Sequence, residues 1–137
     1  MSVDKKAFLV LFILCGCKRE VVANCEIDYD NLNLKINISA VNNHITEIKT
    51  VTRINGDIFY NDTNGFEYYY SLYKDNYEDV SIENKDIILI EKFDMNDSDD
   101  ISRISDYTPK ENEYFSYGDS IESLSDDGFI CVKNMLK

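Results

Sequence analysis

Few of the side chains that usually carry chemistry are present. The 137 residues hold one histidine, His44, so any Ser-His or Cys-His nucleophile has to be built on it. It follows Asn42-Asn43 at what reads as a hairpin edge, where a solvated turn histidine is the ordinary outcome. With no second histidine and no Cys-x-x-Cys, a catalytic zinc site has no ligand set and a redox dithiol has no motif. Acidic groups number 26, which makes any single carboxylate pair uninformative, because a glycosidase needs two at a set separation in a cleft. The densest run, Asp94-Met95-Asn96-Asp97-Ser98-Asp99-Asp100, invites a calcium reading. Counted from Asp94, the position that should be Gly is Asp99 and the closing Glu is Ser105, so the EF-hand template fails. A solvated acidic loop is the expectation there, with a weak cation site as the alternative. There is no Gly-rich phosphate loop. The expectation is a non-catalytic chain without cofactor or metal; small-molecule or cation binding is the alternative, and a carboxylate-dependent hydrolase the least favoured.

The four cysteines are the residues with a specific chemistry. Lys5 and Lys6 precede an unbroken apolar run from Ala7 to Leu14, followed by Leu14-Cys15-Gly16-Cys17 and then Lys18-Arg19-Glu20. This is the organisation of a signal peptide. As a helix the run would reach roughly 12 Å against roughly 30 Å of hydrocarbon, too short to span a membrane. The closing four residues resemble the lipobox of bacterial lipoproteins, with Leu14 three positions before the cysteine and Gly16 directly before it. The resemblance implies cleavage after Gly16 and acylation of Cys17, so that residues 1–16 are a leader, 17–22 a lipidated tether and 23–137 one extracytoplasmic domain. An ordinary secretory peptide or a buried first strand is the alternative. Two acyl chains suffice for stable anchoring, at about 0.8 kcal/mol per buried methylene.

Cys15 then leaves with the leader and Cys17 is acylated, which leaves Cys25 and Cys131. In an oxidising compartment these are expected to pair, closing a long loop worth on the order of 4–5 kcal/mol; two unrelated buried thiols are the alternative. The formal charge is −12. Losing Asp4, Lys5 and Lys6 with the leader removes a net +1 and leaves −13. That field opposes nucleic acid, whose phosphates need cations, and opposes adsorption on anionic lipid heads. The expected membrane attachment is therefore through lipid on Cys17, facing the extracytoplasmic side.

The elements that would position these residues follow from periodicity. Ala23, Cys25, Ile27 and Tyr29 alternate with polar residues, and Leu32, Leu34, Ile36, Ile38 and Ala40 do so more cleanly. Asn42-Asn43 predicts a hairpin turn. A return strand runs from His44 to Ile54, and Ile45 and Ile48 break its phase, which predicts a bulge. Phe66, Tyr69, Tyr70, Tyr73 and Tyr77 mark one face of a helix over 64–77, capped by Asp62 or Thr63. Their expected place is against a sheet with hydroxyls at the rim. Tyr68 and Leu72 fall off that face and are the candidates for contact with a protein or cell-wall partner. A second hairpin joins Val80–Ile82 to Ile87–Phe93 through Asn84-Lys85. Residues 94–117 read as loop with one helical turn near 101–104. Asp119 is expected to cap a short helix that ends at Gly128, and Phe129–Lys133 to form a last strand. The predicted class is α+β: an antiparallel sheet in the order β-β-β-α-β-β-α-β with one or two helices on one face.

This layout resembles the small lipoproteins of the YehR type. The likeness rests on the lipobox, the early Cys25, the paired strands, the aromatic helix and a closing Asp127-Gly128-Phe129-Ile130-Cys131-Val132-Lys133. It implies the same fold and the Cys25–Cys131 bridge, and it supplies no activity.

Overall fold

The computed structural model describes residues 20–60, 62–104 and 115–136. The expected leader and the expected cleavage and acylation sites, Gly16 and Cys17, lie outside the described residues. Six strands are present: β1 (Glu20–Tyr29), β2 (Leu32–Val41), β3 (His44–Ile54), β4 (Asp79–Glu83), β5 (Asp86–Asp94) and β6 (Ile130–Leu136). They form one antiparallel sheet in the order β4-β5-β3-β2-β1-β6. The helices are α1 (Gly65–Asn76), α2 (Ser98–Ile104) and α3 (Tyr117–Asp126), with a 3-10 turn at Gly56–Phe59. The class is α+β with a dominant sheet.

Turn chemistry sets the register. Asn42 and Asn43 take positive φ (51° and 69°), as do Asn84 and Lys85 (51° and 74°). Two consecutive left-handed residues are what a tight hairpin matching strand twist requires. The register between β2 and β3 slips after Ser39 pairs with Glu47, because Ala40 pairs with Ile45 and Thr46 is the extra residue. The phase break at Ile45 and Ile48 is this bulge.

The helices depart from the expected pattern in three places. α2 is a full helix of 7 residues where a single turn is predicted. Asp97 explains it: its carboxylate accepts from the Asp99 N–H at 3.0 Å, and Asp99 and Asp100 place negative charge in the first turn, which the helix dipole favours. The element order thus gains a helix before α3. At α1 the cap position is Asn64, which makes no side-chain cap bond, while Asp62 accepts from the Asn64 N–H at 2.9 Å. At α3 the cap is Ser116, whose hydroxyl accepts from the Asp119 N–H at 3.3 Å, so Asp119 sits in the first turn rather than at the cap. The 3-10 turn after Asn55 has no period in the sequence to announce it.

Residues directly across an antiparallel ladder share a face. The rows Ala23-Ile38-Ile48-Phe93 and Leu32-Ile54-Ile87 therefore lie on the same side of the sheet. Two buried clusters sit there. One gathers Ala23, Cys25, Ile38, Ala40, Ile45 and Phe93 under Ile121 of α3, with Ile101 of α2 at its margin. The other gathers Ile54, Ile87 and Leu89 under Phe59 and the Phe66, Tyr69, Tyr70, Tyr73 and Tyr77 rings. The opposite face carries the alternate residues, mostly polar: Asn24, Glu26 and Asp28 on β1, Lys35 and Asn37 on β2, Lys49, Val51 and Arg53 on β3.

Candidate functional site: an aromatic patch and an open sheet groove

Cys25 and Cys131 are directly opposed on β1 and β6 and are joined as a disulfide, with Cα atoms 4.0 Å apart and a sequence separation of 106. Among the described residues no cysteine is free. The bridge fastens the edge strand β6 to the body of the sheet.

The first candidate site is built on α1 and the 3-10 turn. Gly56 is pressed against the β4–β5 turn: a Cβ there would lie 1.8 Å from the Lys85 carbonyl oxygen, so only glycine fits. Its N–H donates to Asp86 Oδ1 at 3.2 Å, and Arg53 Nε donates to Asp86 Oδ2 at 2.7 Å. The Arg53 guanidinium, followed by the Gly56 N–H, holds the Asp86 carboxyl below the usual carboxylate range. This fixture aims Phe59 into the core, where it stacks on Tyr69 at 4.7 Å between ring centroids. Tyr69 meets Tyr68 edge-on at 5.1 Å, and its hydroxyl donates to Asp62 Oδ2 at 3.0 Å, which pushes the phenol pKa up. Tyr68 and Leu72, four residues apart on α1, are 49% and 45% exposed, and Ile58 and Tyr60 flank Phe59 and are exposed too. The result is a line of rings running from the core to solvent, with carboxylates alongside. Such a surface offers flat apolar area, cation–π faces and hydrogen-bond acceptors, and no nucleophile.

The second is a groove of about 930 Å³ on the polar face, lined among others by Asn24, Lys35, Asn37, Lys49 and Val51. Its rim is β6, where Ile130 and Val132 are 76% and 58% exposed. Asn37 donates its amide to Asn24, and Asn33 donates to Glu26 Oε2 and Asp28 Oδ1, both at 2.6 Å. Sequence reasoning did not single out these residues. The only signal available was their place as the polar partners in the alternation, and that pattern gives no depth or curvature.

The remaining candidates are placed as follows. His44 opens β3, half-buried, and bridges to Ser116. In the acidic run, Asp94 accepts from the Asn96 N–H, Asp97 from the Asp99 N–H, and Asp100 from the Asp94 N–H and Arg103. The Asp94 N–H, and after it Arg103, lowers the Asp100 pKa. These carboxylates are committed to local turns. Among the described residues no group of three His, Cys, Asp or Glu side chains is arranged to hold a metal ion, and no helix is long and apolar enough to cross a membrane. The chain matches no protein-family model, no curated protein and no solved structure.

Proposed function

We propose that the chain is an extracytoplasmic lipoprotein, cleaved after Gly16 and held on the cell membrane by lipid on Cys17, whose folded part is a non-catalytic binding domain for a protein or cell-wall partner. The observation that carries the binding reading is the division of the α1 rings. Tyr69, Tyr73 and Phe66 are committed to the core, while Tyr68 and Leu72 stand out in solvent beside carboxylates. Large exposed aromatic and aliphatic side chains on a rigid helix are the raw material of an interface hot spot.

The anchor reading is compatible with the disulfide: Cys25 and Cys131 consume each other, and Cys17 is the remaining thiol once cleavage after Gly16 removes Cys15. A bridged edge strand also suits an oxidising compartment. The likeness to YehR-type lipoproteins, with helices on one face of the sheet, belongs to the same proposal. It draws on the bridge between the first strand and the closing Asp-Gly-Phe-Ile-Cys-Val-Lys stretch. A second reading, small-molecule binding, is favoured by one observation, the polar-floored groove on the open face.

The test is recovery of partners from intact membranes with the full-length protein. Tyr68→Ser with Leu72→Ser should abolish specific capture while the variant keeps a wild-type circular dichroism spectrum and a cooperative unfolding transition. Undiminished capture by that variant would remove the α1 patch from the reading. Incorporation of a fatty-acid analogue tests the anchor separately: label should be present in the wild type and absent from Cys17→Ala.

A further inference from the structure

We propose that the groove on the open sheet face binds a short aliphatic peptide with free termini, its ammonium held by Glu26 and Asp28 and its carboxylate by Lys35 and Lys49. The inference deepens the small-molecule reading of that groove and rests on it; it is independent of acylation at Cys17.

Opposite charges line opposite sides of the groove. The ladders set Ile130, Glu26, Lys35 and Val51 in one row across the sheet, and Val132, Asn24, Asn37 and Lys49 in the next. The acids lining the groove, Glu26 and Asp28, are both on β1, while Lys35 and Lys49 are on β2 and β3. Glu26 and Lys35 are direct cross-strand partners. Even so, neither Lys35 nor Lys49 makes an ion pair among the described residues. Glu26 instead shares the Asn33 amide with Asp28, each carboxylate oxygen 2.6 Å from the same nitrogen. Two carboxylates drawn onto one neutral amide repel each other, and an ammonium beside them offsets that repulsion. Lys49 is half-buried between Asn37 and Lys92. Like charges directly opposite on a ladder are destabilising, and an anion beside Lys49 offsets that too.

The floor between the charges suits a peptide group. Asn37 donates its amide to Asn24 Oδ1. This bond leaves the Asn24 amide nitrogen and Asn37 Oδ1 without partners among the described residues. A donor and an acceptor side by side answer the C=O and N–H of a peptide backbone.

Reach sets the length of the ligand. β1 and β3 are two inter-strand spacings apart, about 10 Å. An extended chain covers at most about 3.3–3.6 Å per residue, so about three residues carry an ammonium at β1 to a carboxylate at β3, and a single amino acid reaches one side only. The groove volume of about 930 Å³ accommodates a ligand of that size. Its margins are aliphatic, with Ile130 and Val132 exposed on β6 and Val51 on β3, which favours aliphatic side chains on the peptide. The Cys25–Cys131 bridge fastens the β6 rim, so that wall is in place before a ligand arrives.

The experiment is isothermal titration calorimetry of the full-length protein with the tripeptide Leu-Val-Leu, with the same peptide N-acetylated, C-amidated or both, and with free leucine. The free tripeptide should bind, loss of either terminal charge should weaken it roughly five- to tenfold, and leucine should bind more weakly still. Lys35→Gln with Lys49→Gln should weaken the free peptide by a similar factor and leave the C-amidated peptide unchanged. Glu26→Gln with Asp28→Asn should do the same for the N-acetylated peptide. That non-additivity marks direct contact between terminus and side chain, and the wild-type series stands even where a variant misfolds. Equal binding of the free and doubly blocked peptides would overturn the pairing of charges and leave the groove a small-molecule site. Binding untouched by all four substitutions would place the peptide elsewhere and overturn the proposal. So would the failure of every peptide to bind. In that case thermal shifts from a small-molecule library that vanish in Asn37→Trp would keep the small-molecule reading, and a library without such shifts would remove both.

Discussion

Asp86 ties a long side chain, a turn and a close backbone approach into one fixture. Its carboxylate accepts from Arg53 and from the Gly56 N–H, and it stays ionised to lower pH in the folded chain than in the unfolded one. A depressed folded pKa contributes stability that is fully present above the unfolded value and is lost as pH falls through the folded value. Asp86→Asn should therefore destabilise by about 1 kcal/mol near neutral pH, a value discounted for the partly exposed Arg53. At an acid pH below the folded value, which itself lies under the usual carboxylate range, the difference from wild type should close, since the wild-type group is then protonated as well. Urea unfolding of both proteins at the two pH values checks this; a difference that persists in acid would mean the lost energy is packing rather than charge. The pairing of Arg53 with Asp86 had no sequence signature, because the two lie 33 positions apart and meet only through the β3–β5 ladder.

At the scale of elements, the hairpins were legible and the caps were not. Two asparagines in a row forced the β2–β3 turn, since Asn tolerates left-handed backbone at little cost. The β4–β5 turn is less well served, with Lys85 at φ 74°. Lys85→Gly should stabilise the protein by about 0.5–1 kcal/mol by removing the Cβ penalty, read as a raised denaturation midpoint with an unchanged slope. A lowered midpoint would mean that the Lys85 side chain does more than its exposed position indicates. The helix starts were misplaced by a few residues because Asp, Asn and Ser crowd every candidate position. Which one caps depends on the angle at which the chain leaves the sheet. Ser116 wins over Asp119 because Asn43 holds that end of the chain.

At the scale of the whole molecule, the disulfide is the longest-range restraint. It closes 106 positions, so on the loop-entropy model its loss should cost about 4–5 kcal/mol. Cys131→Ser and reduced wild type should unfold at similarly lowered denaturant midpoints. A shift under about 1 kcal/mol would mean that β6 is held by its ladder with β1 and the bridge adds little. β6 is an edge strand with two exposed aliphatic side chains, and fastening it limits the fraying and edge-to-edge pairing that such strands invite.

The amino-acid sequence by itself determined the period-two strands, the Asn-rich turns, the bulge at Ile45–Ile48, the face of α1 and, by counting, the expectation that Cys25 and Cys131 pair. Each of these is local, or follows from counting, and needs no knowledge of what lies across the fold. Only the tertiary structure decided which strands are neighbours. That choice brings Cys25 opposite Cys131, turns the alternate polar residues into the floor of a groove, and seats Gly56 against Lys85 so that Phe59 and Tyr69 stack. These are contacts between residues far apart in the chain, and their geometry comes from sheet order and twist, which hydrophobic period alone does not specify.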